Sequence, residues 1–215
     1  MIIAIDGPAG SGKTTTARSV ANRLDFLHIN TGAMYRAITL KILRENLDIT
    51  NGVHIKKILD ETVLEIDQHG TSIFLDGENV TREIVSKEIN EKVSEISNIV
   101  TVREKLVDFQ RKISNNRDVV LEGRDIGTVV FPLADFKFYL YADIKTRARR
   151  RQEELKKYGE YGKIDDIINT LNARDEKDFS RSNSPLKKAC DAIELDTTSL
   201  SIDEQVDFII SKVNK

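Results

Sequence analysis

A glycine-rich segment near the N-terminus constrains the fold of this chain more than any other feature. Residues 7–14 read GPAGSGKT and match G-x-x-x-x-G-K-[ST] without a gap. The apolar run Ile2–Ile5 before it predicts a buried strand. Thr15–Leu24 after it predicts a helix with its small and apolar residues on one face. This order of strand, glycine loop and helix predicts an α/β fold whose first loop wraps a phosphate.

The same segment predicts a bound nucleoside triphosphate. Backbone N–H groups and the N-terminus of the helix would point at the anion. Lys13 would reach the β- and γ-phosphates, and the Thr14 hydroxyl would ligate Mg²⁺. A chance glycine-rich turn before an ordinary helix is the alternative, which the position between a strand and a helix disfavours. We therefore expect ATP with Mg²⁺, bound by Gly7, Pro8, Ala9, Gly10, Ser11, Gly12, Lys13, Thr14 and Thr15.

A phosphate loop leaves three classes of protein open: small-molecule kinases, GTPase switches and ATP-driven motors. A chain of 215 residues and 24.3 kDa suits one α/β domain with a small insert and is short for a motor. A GTPase switch would carry an N-K-x-D run after a later strand, and the sequence has none. These observations favour a small-molecule kinase.

Composition restricts the partners and the compartment. A formal net charge of −2 gives no support for nucleic-acid binding, and no apolar run approaches the length of a membrane span. The single cysteine, Cys190, suits a reducing cytoplasm and excludes an internal disulfide framework. We expect Cys190 to be a small buried or half-buried residue rather than a nucleophile.

The net charge conceals a basic region. Between Lys145 and Lys188 there are 13 Lys and Arg against 8 Asp and Glu. A solvated helix face explains residues such as Arg149. For the group as a whole we favour an arginine-rich flap that closes over transferring phosphates, because the planar guanidinium pairs bidentately with phosphate oxygens.

Strands and helices alternate along the chain. Five strands separated by helices imply a parallel sheet with helices on both faces, and ligands of such sheets bind at the carboxyl ends of the strands. We therefore expect Gly7–Thr14, Asn30–Arg36 and Glu122–Asp125 to converge on one crevice. The five predicted strands are Ile2–Ile5, Phe26–Ile29, Asp118–Leu121, Phe136–Tyr141 and Ala192–Leu195.

One stretch departs from this alternation. Short apolar runs separated by His69-Gly70 and Asp76-Gly77 predict a small antiparallel insert at about residues 62–82. The helices predicted outside it begin near residues 15, 33, 88, 102, 144, 164 and 202. Asp48–Gly52 is predicted to be a loop.

Three further segments resemble one enzyme family. They are TGAMYR at 31–36, EGRDIGTVVFP at 122–132, and a pattern of Arg174, Asp175, Asp178 and Arg181 followed by Pro185-Leu186. Together with the phosphate loop they are similar to the bacterial cytidylate kinases, which phosphorylate CMP and dCMP from ATP. The resemblance runs from Ile2 to about Thr198. The first two of these segments are far more specific than the phosphate loop.

The resemblance implies a fold and a division of the chain. The fold is that of the P-loop nucleoside monophosphate kinases: a five-stranded parallel core, helices on both faces, an antiparallel insert and a helical lid. Residues 1–215 form one kinase domain, whose core comprises 1–30, 115–145 and 186–215. Residues 31–114 bind the monophosphate and 146–185 form the lid, with Gly159 and Gly162 in its hinge region.

The resemblance also implies site residues. Lys13, Arg124, Arg174 and Arg181 would be catalytic. Thr31, Tyr35 and Arg36 would flank the monophosphate, while Ser94, Arg103 and Asp125 would approach the cytosine edge. Arg124 would contact the acceptor phosphate, Arg174 and Asp178 the ribose, and Arg181 a phosphate. For Tyr35 and Ser94 the alternatives are an aromatic at the edge of the core and an exposed serine. For Arg36, Arg124 and Arg181 the alternative is a structural ion pair.

The sequence departs from the family pattern at two positions. Glu122 and Asn30 stand where the family usually has Asp. Glu122 ends an apolar strand, where an acid can hold a water of the Mg²⁺ shell.

Two other functions remain open: phosphorylation of UMP, AMP or shikimate, and nucleotide sensing without transfer. The GRDIGTVVFP run argues against the first, and the set of phosphate-directed arginines argues against the second. We expect a monomer.

Overall fold

The structure is a computed structural model that describes residues 1–157, 159, 161–181 and 183–214. The chain divides into two compact units. The first unit contains Met1–Phe26 and the chain from Val120 onward, and the second contains Leu27–Val119. In the described part of the chain no helix is both long and apolar enough to cross a membrane.

The strands form two sheets. The larger sheet has the order β2-β6-β1-β7-β8, and the smaller, antiparallel sheet has the order β3-β4-β5. The larger sheet is parallel, as in the pairs β1–β7 and β7–β8. The predicted five-stranded core and antiparallel insert are therefore confirmed. The strands are β1 Ile2–Asp6, β2 Leu27–Asn30, β3 Leu64–Ile66, β4 Ile73–Leu75, β5 Glu78–Asn79, β6 Val119–Gly123, β7 Phe136–Tyr141 and β8 Ile193–Asp196.

Eight α-helices are described. They are α1 Lys13–Leu24, α2 Thr31–Arg44, α3 Gly52–Glu61, α4 Lys87–Ile96, α5 Val100–Ser114, α6 Ile144–Lys157, α7 Ile164–Ser180 and α8 Ile202–Val213. A 3₁₀ helix covers Glu83–Val85 and a π-helix covers Ile126–Val130. The sequence prediction missed α3 and the π-helix.

The core of the first unit explains why its strands, and one face of each helix that packs on them, are apolar. Ile3 and Ile5 of β1 and Phe138 of β7 are fully buried, and Ala17 of α1 and Ile209 of α8 pack in the same cluster. Burying one such large apolar side chain contributes roughly 1.5–3 kcal/mol to folding. Strand β1 is a nearly continuous apolar run because side chains on both of its faces are buried.

Cys190 corrects one prediction. We expected a buried or half-buried thiol, and Cys190 is exposed. It lies in the connection between α7 and β8.

Candidate active site

Glycines set the path of the phosphate loop between β1 and α1. A Cβ added at Gly7 would overlap the backbone carbonyl oxygen of Leu140 in β7, so only glycine fits there. Gly12, directly before α1, has φ +90°, a left-handed conformation that favours glycine. The loop therefore lies directly against the sheet and turns sharply into the N-terminus of α1.

Lys13 lies inside the loop and is only 6% exposed. Its Nζ donates to the carbonyl oxygen of Pro8 at 2.6 Å and to Ser11 Oγ at 3.4 Å. Burial, aided by the positive charge of Arg124, holds the pKa of Lys13 well below its usual value, while Glu122 opposes the shift. The Lys13 side chain is thus held inside the loop by two oxygen acceptors, and its contact with phosphates stays a prediction.

Thr14 and Glu122 supply two oxygen donors at the start of α1. Thr14 Oγ1 donates to Glu122 Oε2 at 2.8 Å, and Glu122 is buried at the end of β6. Mg²⁺ prefers hydroxyl, carboxylate and water oxygens, so this pair fits a nucleotide-borne magnesium ion. Thr15 is exposed on the next position of the helix, and its contact with ATP stays a prediction.

Asp6, the last residue of β1, is a buried acid that the sequence prediction missed. Its Oδ1 accepts the backbone N–H of Ile126 at 2.9 Å, and its Oδ2 accepts that of Gly127 at 2.8 Å. Burial raises its pKa to about 6 against these two hydrogen bonds. Asp6 thereby fixes the backbone that follows Arg124 and Asp125. Its position in the sequence, an acidic residue between an apolar strand and the glycine loop, could have identified Asp6 as a candidate.

Asp178 joins two of the predicted catalytic arginines. Arg124 Nε donates to Asp178 Oδ2 at 2.8 Å, and Arg181 Nη2 donates to Asp178 Oδ1. The Asp178 side chain is 2% exposed, and those of Arg124 and Arg181 are 20% and 7% exposed. Burial lowers the pKa of Arg124, against the nearby carboxylates of Asp175 and Glu122. A single carboxylate therefore holds two guanidinium groups together in the first unit.

Arg174 and Asp125 complete the candidate residues of the first unit. Arg174 is half-buried on α7, and its charge contributes to the lowered pKa of Lys13. Asp125 is buried, and its carbonyl oxygen accepts the N–H groups of Val129 and Val130 at the start of the π-helix. The charge of Asp125 contributes to the raised pKa of Asp6.

The arginines of α6 contact protein groups. Arg147 Nη1 donates to Asp175 Oδ2 at 2.5 Å and to the carbonyl oxygen of Ala9 at 3.1 Å. Arg150 donates through both Nη atoms to Thr197, and Arg149 is exposed. The basic region is therefore not one uniform flap: Arg147 and Arg150 fix the phosphate loop and its surroundings.

In the second unit, the start of α2 is fixed by Asn30. Its Oδ1 accepts the N–H of Ala33 at 3.0 Å, which is an N-cap that Asn and Asp perform equally well. Thr31 is buried directly after it. Arg36 Nε donates to Asn90 Oδ1 at 3.2 Å, and the Asn90 amide donates in turn to the carbonyl oxygens of Val85 and Ser86. Arg36 is therefore oriented by a side chain that is itself held by backbone.

Tyr35 and Arg103 lie together in the second unit. The Arg103 guanidinium carbon lies 5.5 Å from the centre of the Tyr35 ring, and Arg103 Nη1 donates to the Ser97 carbonyl oxygen at 3.3 Å. Both residues are buried. Ser94 is half-exposed on α4, and its carbonyl oxygen accepts Ser97 Oγ at 3.0 Å.

The structure thus brings predicted residues together within each unit. In the first, Lys13 shares its electrostatic environment with Glu122, Arg124 and Arg174, and in the second, Tyr35 contacts Arg103. The expectation that residues of both units line one crevice stays a prediction.

Comparison with known proteins identifies the relatives of this chain. A family model described as cytidylate kinase matches residues 3–215. The cytidylate kinase of Fusobacterium nucleatum subsp. nucleatum is 46% identical over 215 residues, which cover 100% of this chain and 98% of that protein. The cytidylate kinase of Chloroherpeton thalassium is 48% identical, covering 96% of this chain and 90% of that protein.

A solved structure shares the fold at much lower identity. The shikimate kinase of Bacteroides thetaiotaomicron aligns with a TM-score of 0.52 at 12% identity, covering 100% of this chain and 99% of that one. At this identity the likeness supports the α/β kinase fold alone.

Proposed function

The chain belongs to the cytidylate kinase family, and we propose that it transfers the γ-phosphoryl group of ATP to CMP or dCMP through the residues described above. The products are ADP and CDP or dCDP. The observation that carries this proposal is the family match over residues 3–215. Membership makes the chain a kinase, a phosphotransferase, and the roles of its residues follow as proposals.

Transfer between two phosphates requires positive charge, because two polyanions must approach each other. The transition state spreads charge over the equatorial phosphoryl oxygens and leaves little covalent chemistry for the protein. Lys13 holds the donor phosphates, and Arg124, Arg174 and Arg181 stabilise the charge that develops. Thr14 and, through a water molecule, Glu122 would hold the Mg²⁺ that accompanies ATP, and the ion would supply positive charge that neutralises the phosphate oxygens. The acceptor oxygen is already ionised, so no general base is needed.

We assign the acceptor contacts by likeness to the family. Thr31, Tyr35 and Arg36 take the monophosphate. Ser94, Arg103 and Asp125 take the cytosine edge, and Arg174 and Asp178 take the ribose. Support comes from the way the charged members are held: Arg36 by Asn90, and Arg103 by Ser97. A residue oriented in advance loses less conformational entropy when its ligand binds.

The region 146–185 acts as a lid that excludes water, since an open site would hydrolyse ATP. Gly159, between α6 and α7, has φ +75° and open space around its Cα, which supports a hinge there. Hydrogen exchange across α6 and α7 tests this. ATP and CMP together should protect these helices more than either nucleotide alone, and equal protection by one nucleotide would argue against closure driven by both.

The nucleotide substrates support a cytoplasmic location. We propose that the chain acts as a monomer. Sedimentation at micromolar concentration, with and without nucleotides, checks the oligomeric state.

Parallel assays of ADP release with CMP, dCMP, UMP and AMP test the proposed reaction. CMP and dCMP should be turned over fastest. Calorimetry on the same protein separates the alternatives: binding of ATP and CMP without ADP release would indicate a nucleotide sensor. Preference for AMP or UMP would place the chain among other monophosphate kinases.

Asp125→Ala tests the base assignment. Cytosine offers an N4 amino donor to a carboxylate, whereas uracil offers the O4 acceptor. One good contact of this kind discriminates by about 1–3 kcal/mol, roughly 5- to 150-fold in kcat/KM. The variant should lose activity toward CMP and keep that toward UMP. Parallel loss with both substrates would show that Asp125 only maintains the backbone between β6 and the π-helix.

A further inference from the structure

Thr197, directly after β8, connects three parts of the first unit through one hydroxyl. The residue is fully buried. Its Oγ1 lies 2.9 Å from the carbonyl oxygen of Ser11 in the phosphate loop and 3.0 Å from that of Tyr141 at the end of β7. Arg150 Nη1 of α6 donates to the same Oγ1 at 3.0 Å.

The hydrogen-bond capacity of this hydroxyl decides where its proton goes. A threonine hydroxyl has one proton and two lone pairs, and Arg150 occupies one lone pair. The Tyr141 carbonyl oxygen already accepts the backbone N–H of Thr197 at 2.8 Å. Ser11 is therefore the acceptor that most needs the proton. A second bond, from Arg150 Nη2 to the Thr197 carbonyl at 2.6 Å, fixes the guanidinium.

The Ser11 carbonyl matters because of the peptide that it belongs to. The Ser11–Gly12 peptide is planar, so holding its carbonyl oxygen also fixes the direction of the Gly12 N–H. In loops of this type the backbone N–H groups cradle the phosphates. With φ +90°, Gly12 has no side chain to restrict the peptide, so an external hydrogen bond is needed.

We propose that Thr197 is a positioning residue that fixes the Ser11–Gly12 peptide for ATP, with Arg150 directing the hydroxyl. The inference rests on the ATP-binding role proposed for the loop and adds a residue outside it. Thr197 acts through the backbone and does not touch the substrate.

A neighbouring contact supports the same arrangement. Gln205 of α8 is fully buried, its Oε1 accepts Thr16 Oγ1 at 2.6 Å, and its Nε2 donates to the Leu200 carbonyl at 3.1 Å. The segment from Thr197 to Gln205 therefore holds both the loop and the first turns of α1. Two independent buried hydrogen bonds connect this C-terminal segment to the ATP-binding end of α1.

A series of substitutions at Thr197 in the full chain tests the proposal. Thr197→Val removes the hydroxyl at constant volume, Thr197→Cys replaces it with a weak donor, and Thr197→Ser keeps it. The valine and cysteine variants should raise the Kd and KM for ATP about tenfold, which corresponds to about 1.4 kcal/mol. The KM for CMP should not change, and the serine variant should bind ATP as the wild type does.

Thr198→Val is the matched control. The Thr198 hydroxyl accepts the N–H of Asp143 at 3.0 Å, so this variant loses a neighbouring hydrogen bond of similar length. It should keep the wild-type Kd for ATP in calorimetry. If the valine variant at Thr197 does not fold, the cysteine variant carries the comparison.

Two outcomes would overturn the inference alone. One is wild-type ATP binding by the valine and cysteine variants with only a lower melting temperature. The other is a serine variant as impaired as valine, which would show that the methyl group matters rather than the hydroxyl. Failure of the wild-type chain to bind ATP would instead overturn the proposed function on which the inference rests.

Discussion

Two buried aspartates of the first unit are satisfied by different kinds of donor. Asp6, at the start of the phosphate loop, accepts from two backbone N–H groups of the π-helix. Asp178, on α7, accepts from the guanidinium groups of Arg124 and Arg181. Both carboxylates are nearly inaccessible to water.

The difference determines what each carboxylate contributes. Neutral N–H groups offset burial only in part, and the pKa of Asp6 accordingly rises to about 6. Asp178 is instead paired with two cations. Each of the three charges needs the others to offset its burial, because a buried charge without its partner is costly. The backbone at Ile126 and Gly127 is therefore fixed by neutral hydrogen bonds to Asp6, whereas the segment Arg174–Arg181 is organised by a charge cluster.

Asp178→Asn should have the largest effect, because it leaves two arginines without their carboxylate. Breaking a buried ion pair from one side costs about 3–5 kcal/mol, so unfolding by urea should show a loss of that order without nucleotide. Glu176→Gln, an exposed change on the same helix, is the control and should stay within about 0.5 kcal/mol of wild type. A loss for Asp178→Asn as small as that of the control would show that the cluster does not organise this segment.

Lys13→Ala should have the next largest effect. It removes one preorganised charge at the donor phosphates, so kcat should fall about 10²- to 10³-fold. Stability should not fall, because the variant removes a buried cation whose pKa is already lowered by burial. The kcat and the melting temperature without nucleotide are the two measurements. A lower melting temperature with kcat unchanged would assign Lys13 a structural role instead.

Asp6→Asn tests, through the pH dependence of stability, whether neutral N–H groups offset the burial of Asp6 only in part. The folded-state pKa of Asp6, about 6, lies above the ordinary value of 3.8, so the folded protein binds the extra proton between these values. Wild-type stability should therefore fall as pH rises from about 4 to about 6, by about 3 kcal/mol relative to the variant. Urea unfolding of both proteins at pH 4, 5, 6 and 7 measures this difference. A constant difference across these values would contradict the raised pKa.

The sequence predicted the regular part of the fold well. The strand Phe136–Tyr141 was predicted with the boundaries that the structure gives, and the helices Ile144–Lys157 and Ile202–Val213 were predicted to begin where they do. Their apolar periodicity is long and is bounded by clear turn residues, which makes such elements easy to recognise.

The missed features depend on contacts that periodicity does not encode. The π-helix Ile126–Val130 is rich in β-branched residues, and its conformation is imposed by Asp6 from a strand 120 residues earlier. Helix α3 begins at an Asn51 N-cap, and only Ile55 and Leu59 are buried on it. With only two buried apolar positions, the sequence between the predicted loop and the antiparallel insert showed too little helical periodicity to predict this helix.

The same limit applies to the site. Contiguous motifs supplied Lys13 and Thr14 as candidates, because a phosphate loop carries its chemistry within a few residues, and a second contiguous motif supplied Glu122. The sequence supplied Arg124, Asp178 and Arg181 as candidates, but not that one carboxylate holds both arginines. A contact across 54 residues depends on how α7 packs.

Arg181→Lys should have the smallest effect of the series and separates charge from geometry. Lysine keeps the charge beside Asp178, so stability should change by less than about 1 kcal/mol, but an ammonium group cannot reproduce the planar fork. If the fork stabilises the transferring phosphoryl group, kcat should fall about tenfold while the KM for ATP changes little. Arg149→Lys, an exposed change on α6, should behave as wild type. A kcat within twofold of wild type for Arg181→Lys would mean that the segment acts by charge alone. The contrast between Asp6, which is satisfied by neutral backbone donors, and the charge cluster around Asp178 would then hold without exception.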